Sequence, residues 1–287
     1  MQIGPGQLLI RTDAIGVGVG LLRLRRDDPG ASPGGEVVGR VAAVGDGVEG
    51  FAPGDRVGGV VFRDAYAELV VGVPGLVNPV PEGPAAGAAL AVVRGGLVAL
   101  GALRASGFRA GESVLVTAAA SGAGHLAVQL AKTLGARRVV AVTGSPGKAA
   151  FLRECGATEC VTYADADWGD PVDVVLDGVG GELVQRGADA LGPFGRLVAF
   201  SAGGGPLDAG SLLGNGRTVT GFAVGLWNRH RAEVVDGWRA ELWDLLAAGR
   251  IRPRYVEFPL SDLDRALELV AARGNLGRVV VLAPAHA

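Results

Sequence analysis

Short apolar runs separated by turn residues fill the first ninety positions. Gln7–Ala14, Glu36–Val44, Arg56–Val61 and Ala67–Val71 are Val-rich, with clusters such as Asp46-Gly47 and Ala52-Pro53-Gly54-Asp55 between them. Strands at this spacing predict a small antiparallel barrel or sandwich. Pro84–Leu103 then forms an almost uncharged Ala/Val/Leu/Gly stretch. It predicts a buried helix, weakened where Gly95-Gly96 interrupts it.

From Ser113 the pattern alternates between strand and helix. Val114–Thr117 predicts a buried strand, followed by a Gly-rich turn and a helix through Leu134 that places Leu126, Leu130 and Leu134 on one face. Arg138–Val142, Cys160–Thr162, Val172–Leu176 and Arg196–Phe200 predict further strands. Gly147–Cys155 and Glu182–Leu191 predict helices between them. Consecutive strands joined by helices imply a doubly wound parallel sheet, because parallel strands need crossovers. Arg231–Ala248 predicts another amphipathic helix. Val256–Leu282 predicts a strand, a helix with Ser261 as N-cap and Asp264 in its first turn, and a last strand at Val279–Leu282.

Composition narrows the function classes. The 287 residues carry 27 Lys+Arg against 29 Asp+Glu, a net charge of −2. A balance this even argues against a nucleic-acid groove or a membrane-surface patch. Only Lys132 and Lys148 are lysines, and that bias is read as genome composition, without functional weight. Cys155 and Cys160 are the only cysteines, which excludes a disulfide framework and a four-cysteine zinc lobe. The opening residues do not read as a signal peptide, and runs such as Val114–Ala120 are too short to span a bilayer. The expectation is a cytoplasmic protein.

The segment Val114-Leu-Val-Thr-Ala-Ala-Ala-Ser-Gly-Ala-Gly124 passes from strand to helix through small residues. Backbone amides at such a turn suit a pyrophosphate. The G-x-G-x-x-G template is incomplete, since Ala119 and Ser121 replace its first two glycines and only Gly124 remains. The next strand ends in Thr143-Gly144-Ser145, with Lys148 beyond and no acidic residue before Glu154. A carboxylate here would receive ribose hydroxyls, whereas a small polar residue and a cation can accept a 2′-phosphate. The expected cofactor is therefore NADPH.

Several ordered motifs now carry a resemblance. Pro33-Gly-Gly-Glu-Val-Val-Gly39, Val44-Gly-Asp-Gly-Val-Glu-Gly-Phe51, Pro53-Gly-Asp-Arg-Val57, Ala65-Tyr-Ala-Glu-Leu69, the turn up to Gly124, Val172-Asp-Val-Val-Leu-Asp-Gly-Val-Gly-Gly181 and Gly277-Arg-Val-Val-Val281 follow one another along the chain. Together they resemble the medium-chain dehydrogenase/reductase superfamily, in its zinc-independent quinone oxidoreductase and enoyl reductase branch. The resemblance implies an α/β fold in which a Rossmann domain, residues 94–250, is inserted into a GroES-like β-barrel catalytic domain, residues 1–93 and 251–287.

By position, the resemblance assigns Ser121, Gly122 and Ala123 to the pyrophosphate. It assigns Gly144, Ser145, Lys148 and Tyr163 to the 2′-phosphate, and Phe200, Ser201, Ala202, Gly203, Val224, Gly225 and Leu226 to the nicotinamide. Arg278, at a position often basic in the family, is assigned to the cofactor as well. It also implies a homodimer, for which the apolar Val219–Val224 segment offers an edge strand.

Departures fall where chemistry is expected. Gly18 stands where relatives often carry Asn, Arg23 falls near a tyrosine position, and Val98 replaces a threonine. The helix expected between Tyr163 and Asp173 is missing. Gly35 stands where a zinc-ligating His would precede Glu36, so no metal is expected. The expected reaction is zinc-free hydride transfer from NADPH to a quinone or an activated C=C of an enone or enoyl substrate. Arg23 and Arg63 are candidate donors to the developing oxyanion. Tyr66 reads as structural. A redox-silent cyclase or isomerase acting on a polyketide-like small molecule is the alternative, and a nucleotide-sensing scaffold a third reading.

Overall fold

A computed structural model of the chain describes residues 3–201 and 203–284. The chain forms two compact units, Met1–Arg94 with Pro253–Ala287, and Gly95–Arg252. In chain order, β1 (Leu8–Val17) leads into α1 (Val19–Asp27), β2 (Gly35–Val44), β3 (Arg56–Val61), β4 (Leu69–Gly72) and β5 (Val77–Pro79). α2 (Ala86–Leu90) continues through a π-helical segment, Ala91–Gly96, into α3 (Leu97–Ala105). Then come β6 (Ser113–Val116), α4 (Gly124–Thr133), β7 (Arg138–Thr143), α5 (Ala149–Glu154), β8 (Glu159–Thr162) and β9 (Val172–Asp177). α6 (Leu183–Asp189), β10 (Leu191–Ala199), α7 (Gly210–Leu213), β11 (Thr218–Gly221), α8 (Val224–His230) and α9 (Ala232–Ala247) complete the second unit. The chain ends with β12 (Tyr255–Pro259), α10 (Leu263–Ala271) and β13 (Arg278–Leu282).

The first unit is the GroES-like domain, built on a sheet of order β12-β13-β1-β2-β3-β5. β1 is long enough to serve two neighbours on one side. Leu8–Arg11 pairs with β4, and Ala14–Val17 pairs with β13. Register shifts at Leu9/Ile10 and Thr12/Ala14 interrupt its pairing with β2, the kind of irregularity that bends a strand. Leu8, Ile10, Ile15, Val37 and Val57 form the buried core, closed by Ala266 and Leu267 of α10. The sheet therefore brings the start of β13 beside the end of β1 and the start of β2.

The second unit is the Rossmann domain, a parallel sheet of order β11-β10-β9-β6-β7-β8. Strand order reverses between β6 and β9. In open sheets of this kind the ligand crevice lies at the carboxyl ends of the strands flanking that reversal.

Some local expectations change. Val19–Asp27 is a helix, with Leu21 buried and Arg25 and Arg26 in its last turn. Cations there suit the negative end of the helix dipole. Ser261 does not cap the last helix: its hydroxyl bonds Asp262, and Leu260–Asp262 forms a 3-10 turn ahead of α10. Gly95-Gly96 does not break the buried helix but lies in its π-helical segment. The helix Ala86–Ala105 has the length and apolar composition of a membrane span, yet about two-thirds of it is buried within the protein, as in a core helix.

Candidate functional site

The turn after β6 is held by its own small residues. Gly124 opens α4 so close to the incoming chain that a Cβ there would lie 2.1 Å from the Ala118 carbonyl oxygen. Only glycine fits. The Ser121 hydroxyl accepts from the Gly124 amide at 3.0 Å, which fixes its oxygen at the helix start and leaves its O–H to donate. Among the described residues, the Gly122 and Ala123 amides donate to nothing. Two uncommitted amides at the start of a ten-residue helix suit an anion.

Tyr163 props the turn from beneath. Its hydroxyl accepts from the Ala118 amide at 2.7 Å, and Ala118 itself takes the unusual φ of 48°. A Cβ at Gly144 would lie 3.9 Å from the same ring. The ends of β7 and β8 thus bring Gly144 and Tyr163 together beneath the turn. Ser145 caps the short 3-10 turn Pro146–Lys148 by accepting from Gly147. Gly144 and Ser145 are exposed and Lys148 is half-buried. Burial pushes the Lys148 ammonium below its ordinary range.

Where a helix was expected after Tyr163, an arginine clamp holds the loop. Arg186 of α6 stacks its guanidinium 4.0 Å over the Trp168 ring and donates to the Tyr163 carbonyl at 2.6 Å and to that of Asp165. Trp168 in turn donates to the Thr162 carbonyl at 3.1 Å. Neither Arg186 nor Trp168 stands out in the sequence pattern.

A third set of loops follows β9 and β10. Buried Asp177 accepts from the Thr117 hydroxyl at 2.7 Å and from the amides of Val179 and Gly180 at 3.2 and 2.9 Å. The Ser201 hydroxyl donates to the Val179 carbonyl and accepts from the Gly203 amide. A Cβ at Gly178 would meet the Phe200 ring at 2.8 Å. Phe200, Ser201 and Gly203 therefore lie against the loop after β9, and Ala202 falls outside the described residues. Val224, Gly225 and Leu226 form the first turn of α8, and Leu226 is exposed.

Arg278 belongs to the first unit. Its Nη2 donates to Glu36 Oε2 at 2.6 Å, while Arg94 Nε approaches Oε1 at 3.1 Å. Burial opposes ionisation of Glu36, but the two guanidinium groups outweigh it and hold the carboxyl below its ordinary value. The Tyr66 hydroxyl donates to the Gly16 carbonyl at 2.8 Å, and burial, then the Glu36 charge, push the phenol up. Arg23 is exposed on α1, and Arg63 is exposed in the turn after β3. Neither belongs to the Glu36 cluster.

Zinc does not fit these residues. Gly35 offers no donor atom, both oxygens of Glu36 face arginines, and Cys155 and Cys160 belong to the Rossmann unit. Among the described residues no three His, Cys, Asp or Glu side chains gather as a ligand set.

The Alcohol dehydrogenase GroES-like domain family matches residues 4–77, and the Zinc-binding dehydrogenase family matches residues 122–238. The quinone oxidoreductase of Pseudomonas aeruginosa is 32% identical, covering 97% of this chain and 92% of that protein. The spectinabilin polyketide synthase system protein NorB of Streptomyces orinoci is also 32% identical, over 98% of this chain, which spans 13% of its length. Among solved structures, a mycobacterial protein complexed with NADPH is 30% identical with a TM-score of 0.89, covering 98% of this chain and 93% of that one. The JamJ enoyl reductase is 25% identical with a TM-score of 0.86, covering 99% and 93%. The chain belongs to the medium-chain dehydrogenase/reductase superfamily. Within it, the chain falls in the quinone oxidoreductase and enoyl reductase branch.

Proposed function

We propose that this protein is an NADPH-dependent oxidoreductase that reduces a quinone or an activated C=C, of an enone or enoyl compound, without zinc. The observation that carries the reading is the end of β7. Gly144 and Ser145 lie exposed there with Lys148 nearby, Gly144 is backed by Tyr163, and no carboxylate stands before Glu154 to repel a 2′-phosphate. The Gly122 and Ala123 amides would hold the pyrophosphate. The loops after β9 and β10, stiffened by Asp177 and Ser201, would shape the nicotinamide pocket. When bound, the nicotinamide supplies the hydride, and the α-carbon proton of an enone substrate comes from water.

Neither Tyr66 nor Glu36 serves as the acid, because the phenol is committed to Gly16 and the carboxylate to two arginines. Stopped-flow oxidation of NADPH against quinones, enones and enoyl thioesters tests the reading, and silence across that panel overturns it. Elemental analysis tests the metal, with stoichiometric zinc as the refuting result.

The departures from the family pattern at Gly18, Arg23 and Val98 favour one second reading, a redox-silent cyclase or isomerase on a polyketide-like small molecule. Product mass separates the two, since reduction adds two hydrogens and cyclisation adds none. We also propose a homodimer, supported by the largely exposed edge strand β11, with light scattering at micromolar concentration as the check.

A further inference from the structure

His125 is fully buried in the first turn of α4, and its ring is tilted against that of Phe151 in α5, with 6.2 Å between centroids. Its Nδ1 stands 2.9 Å from the Ser121 carbonyl oxygen. A carbonyl oxygen only accepts, so Nδ1 carries a proton and donates. The same oxygen already accepts from the His125 amide at 3.1 Å. One residue therefore grips one carbonyl twice, through backbone and side chain. The helix itself needs only the first of these bonds.

The grip reaches the far side of that peptide. No described peptide bond is cis, and across a trans peptide the C=O and the following N–H point in opposite directions. With the Ser121 carbonyl drawn into α4, the Gly122 amide is turned outward from the helix start. Donation to the carbonyl also polarises the peptide and strengthens its N–H as a donor. The next peptide is set by a different device. A Cβ at Gly95 would lie 2.8 Å from the Gly122 carbonyl oxygen, so that carbonyl packs on bare backbone of the π-helical segment. The Ala123 amide, opposite it, is turned away from Gly95. These are the same amides that donate to nothing among the described residues.

We propose that His125 is a positioning residue for the nucleotide pyrophosphate, whose Nδ1–H, drawn onto the Ser121 carbonyl, aims the Gly122 amide at the anion. Gly95 leaves the room in which the Gly122 carbonyl turns aside and the Ala123 amide joins its neighbour. His125 touches no ligand and acts through one peptide plane. The assignment rests on the dinucleotide-binding part of the reductase reading above and adds His125 and Gly95 to it. A histidine kept only for packing could become leucine without consequence for binding.

Calorimetry with NADPH and with 2′-AMP tests it, because 2′-AMP carries the 2′-phosphate and lacks the pyrophosphate. His125→Leu removes the donor at similar volume and is expected to raise the Kd for NADPH about tenfold while that for 2′-AMP stays within about twofold. His125→Asn returns an N–H to the atom next to Cγ. It is expected to bring the Kd for NADPH back to within about threefold of wild type, although its buried carboxamide should make it melt below His125→Leu. A residue that only supports the fold would follow melting temperature instead of the donor. Gly95→Ala presses a methyl on the Gly122 carbonyl and should show the same split between the two ligands.

A second readout uses the wild type alone. A nitrogen–proton correlation spectrum should place the His125 ring proton on Nδ1, and a bare Nδ1 overturns the proposal whatever the variants do. An unchanged Kd for NADPH in His125→Leu, or an equal rise for both ligands, also overturns it and leaves the NADPH reading standing. So does a folded His125→Asn that binds NADPH no better than His125→Leu. A wild type that binds NADH as tightly as NADPH, with the same dependence on His125, would instead support the positioning role and refute the NADPH reading.

Discussion

The clamp of Arg186 on Trp168 makes a quantitative prediction about cofactor affinity. Arg186→Met keeps an unbranched apolar stem over the indole, so packing is largely preserved and the charge is removed. Lost are the part-buried bond to the Tyr163 carbonyl, the more exposed bond to that of Asp165 and the contact 4.0 Å above the ring. A charged donor to a part-buried carbonyl contributes about 1.5 kcal/mol, and a partly exposed cation–π contact about 0.5–1 kcal/mol. The exposed bond adds little. The loop after β8 should therefore lose about 2 kcal/mol, which shifts the melting temperature down by about 4–8 °C for a protein of this size.

Part of that loss must reappear in binding. Tyr163 keeps its amide bond to Thr143 at 3.0 Å, and Thr162 keeps its bond to Asp165, so the loop loosens without unfolding. A loop that is ordered only part of the time weakens apparent affinity by its competent fraction. We expect the Kd for NADPH to rise about tenfold, equivalent to about 1.4 kcal/mol, measured by fluorescence titration. Removal of the Tyr163 hydroxyl, made as Tyr163→Phe, should cost little more once Arg186 is replaced, since both act on the same prop. A lowered melting temperature with unchanged Kd would refute the coupling and leave the clamp a purely structural feature.

Other perturbations read other parts of the site. Lys148→Met should raise the Kd for NADPH about tenfold, the worth of one charge-assisted contact, and leave NADH unaffected. In wild type the preference for NADPH should fade at a lower alkaline pH than an ordinary lysine would give, because burial lowers the ammonium's value. Gly124→Ala drives a methyl into the Ala118 carbonyl and should cost about 1–3 kcal/mol in denaturant titration, together with loss of NADPH binding. For Glu36, Arg278 and Arg94 outweigh burial and favour the carboxylate in the folded chain, so the unfolded chain takes up the proton first. Wild-type stability should fall as pH drops below about 4, the ordinary glutamate range, and the Glu36→Gln profile should be flatter.

Features set by neighbours in sequence were legible, and features set by distant neighbours were not. The strand, turn and helix around Gly124 lie within one short segment, so their periodicity and small residues reveal them. The cation at Lys148 could be placed from its distance beyond β7. Glu36 and Arg278 were both visible in recognisable motifs, but their bond joins residues 242 positions apart and depends on β13 lying beside β1. The same holds for Arg186, which reaches back 23 positions to Tyr163. Arg23 and Arg63 drew attention as cations near expected chemistry, whereas the anchored cation lay on β13. Local patterns do not distinguish an anchored arginine from a solvated one.

Two of the departures from the family pattern have one physical answer. Where a helix is missing after Tyr163, and where the backbone is bare at Gly16 and Gly18, a guanidinium from a distant element fills the space. Each is fixed by strong acceptors, two carbonyls for Arg186 and a carboxylate for Arg278. Arginine suits this task because its planar fork can bind one partner firmly while leaving other donors or its face available. A lysine at either position would offer a point charge without the second function. Arg186→Lys should therefore keep one carbonyl bond and lose the contact over the Trp168 ring, so its melting temperature should fall, but by less than that of Arg186→Met.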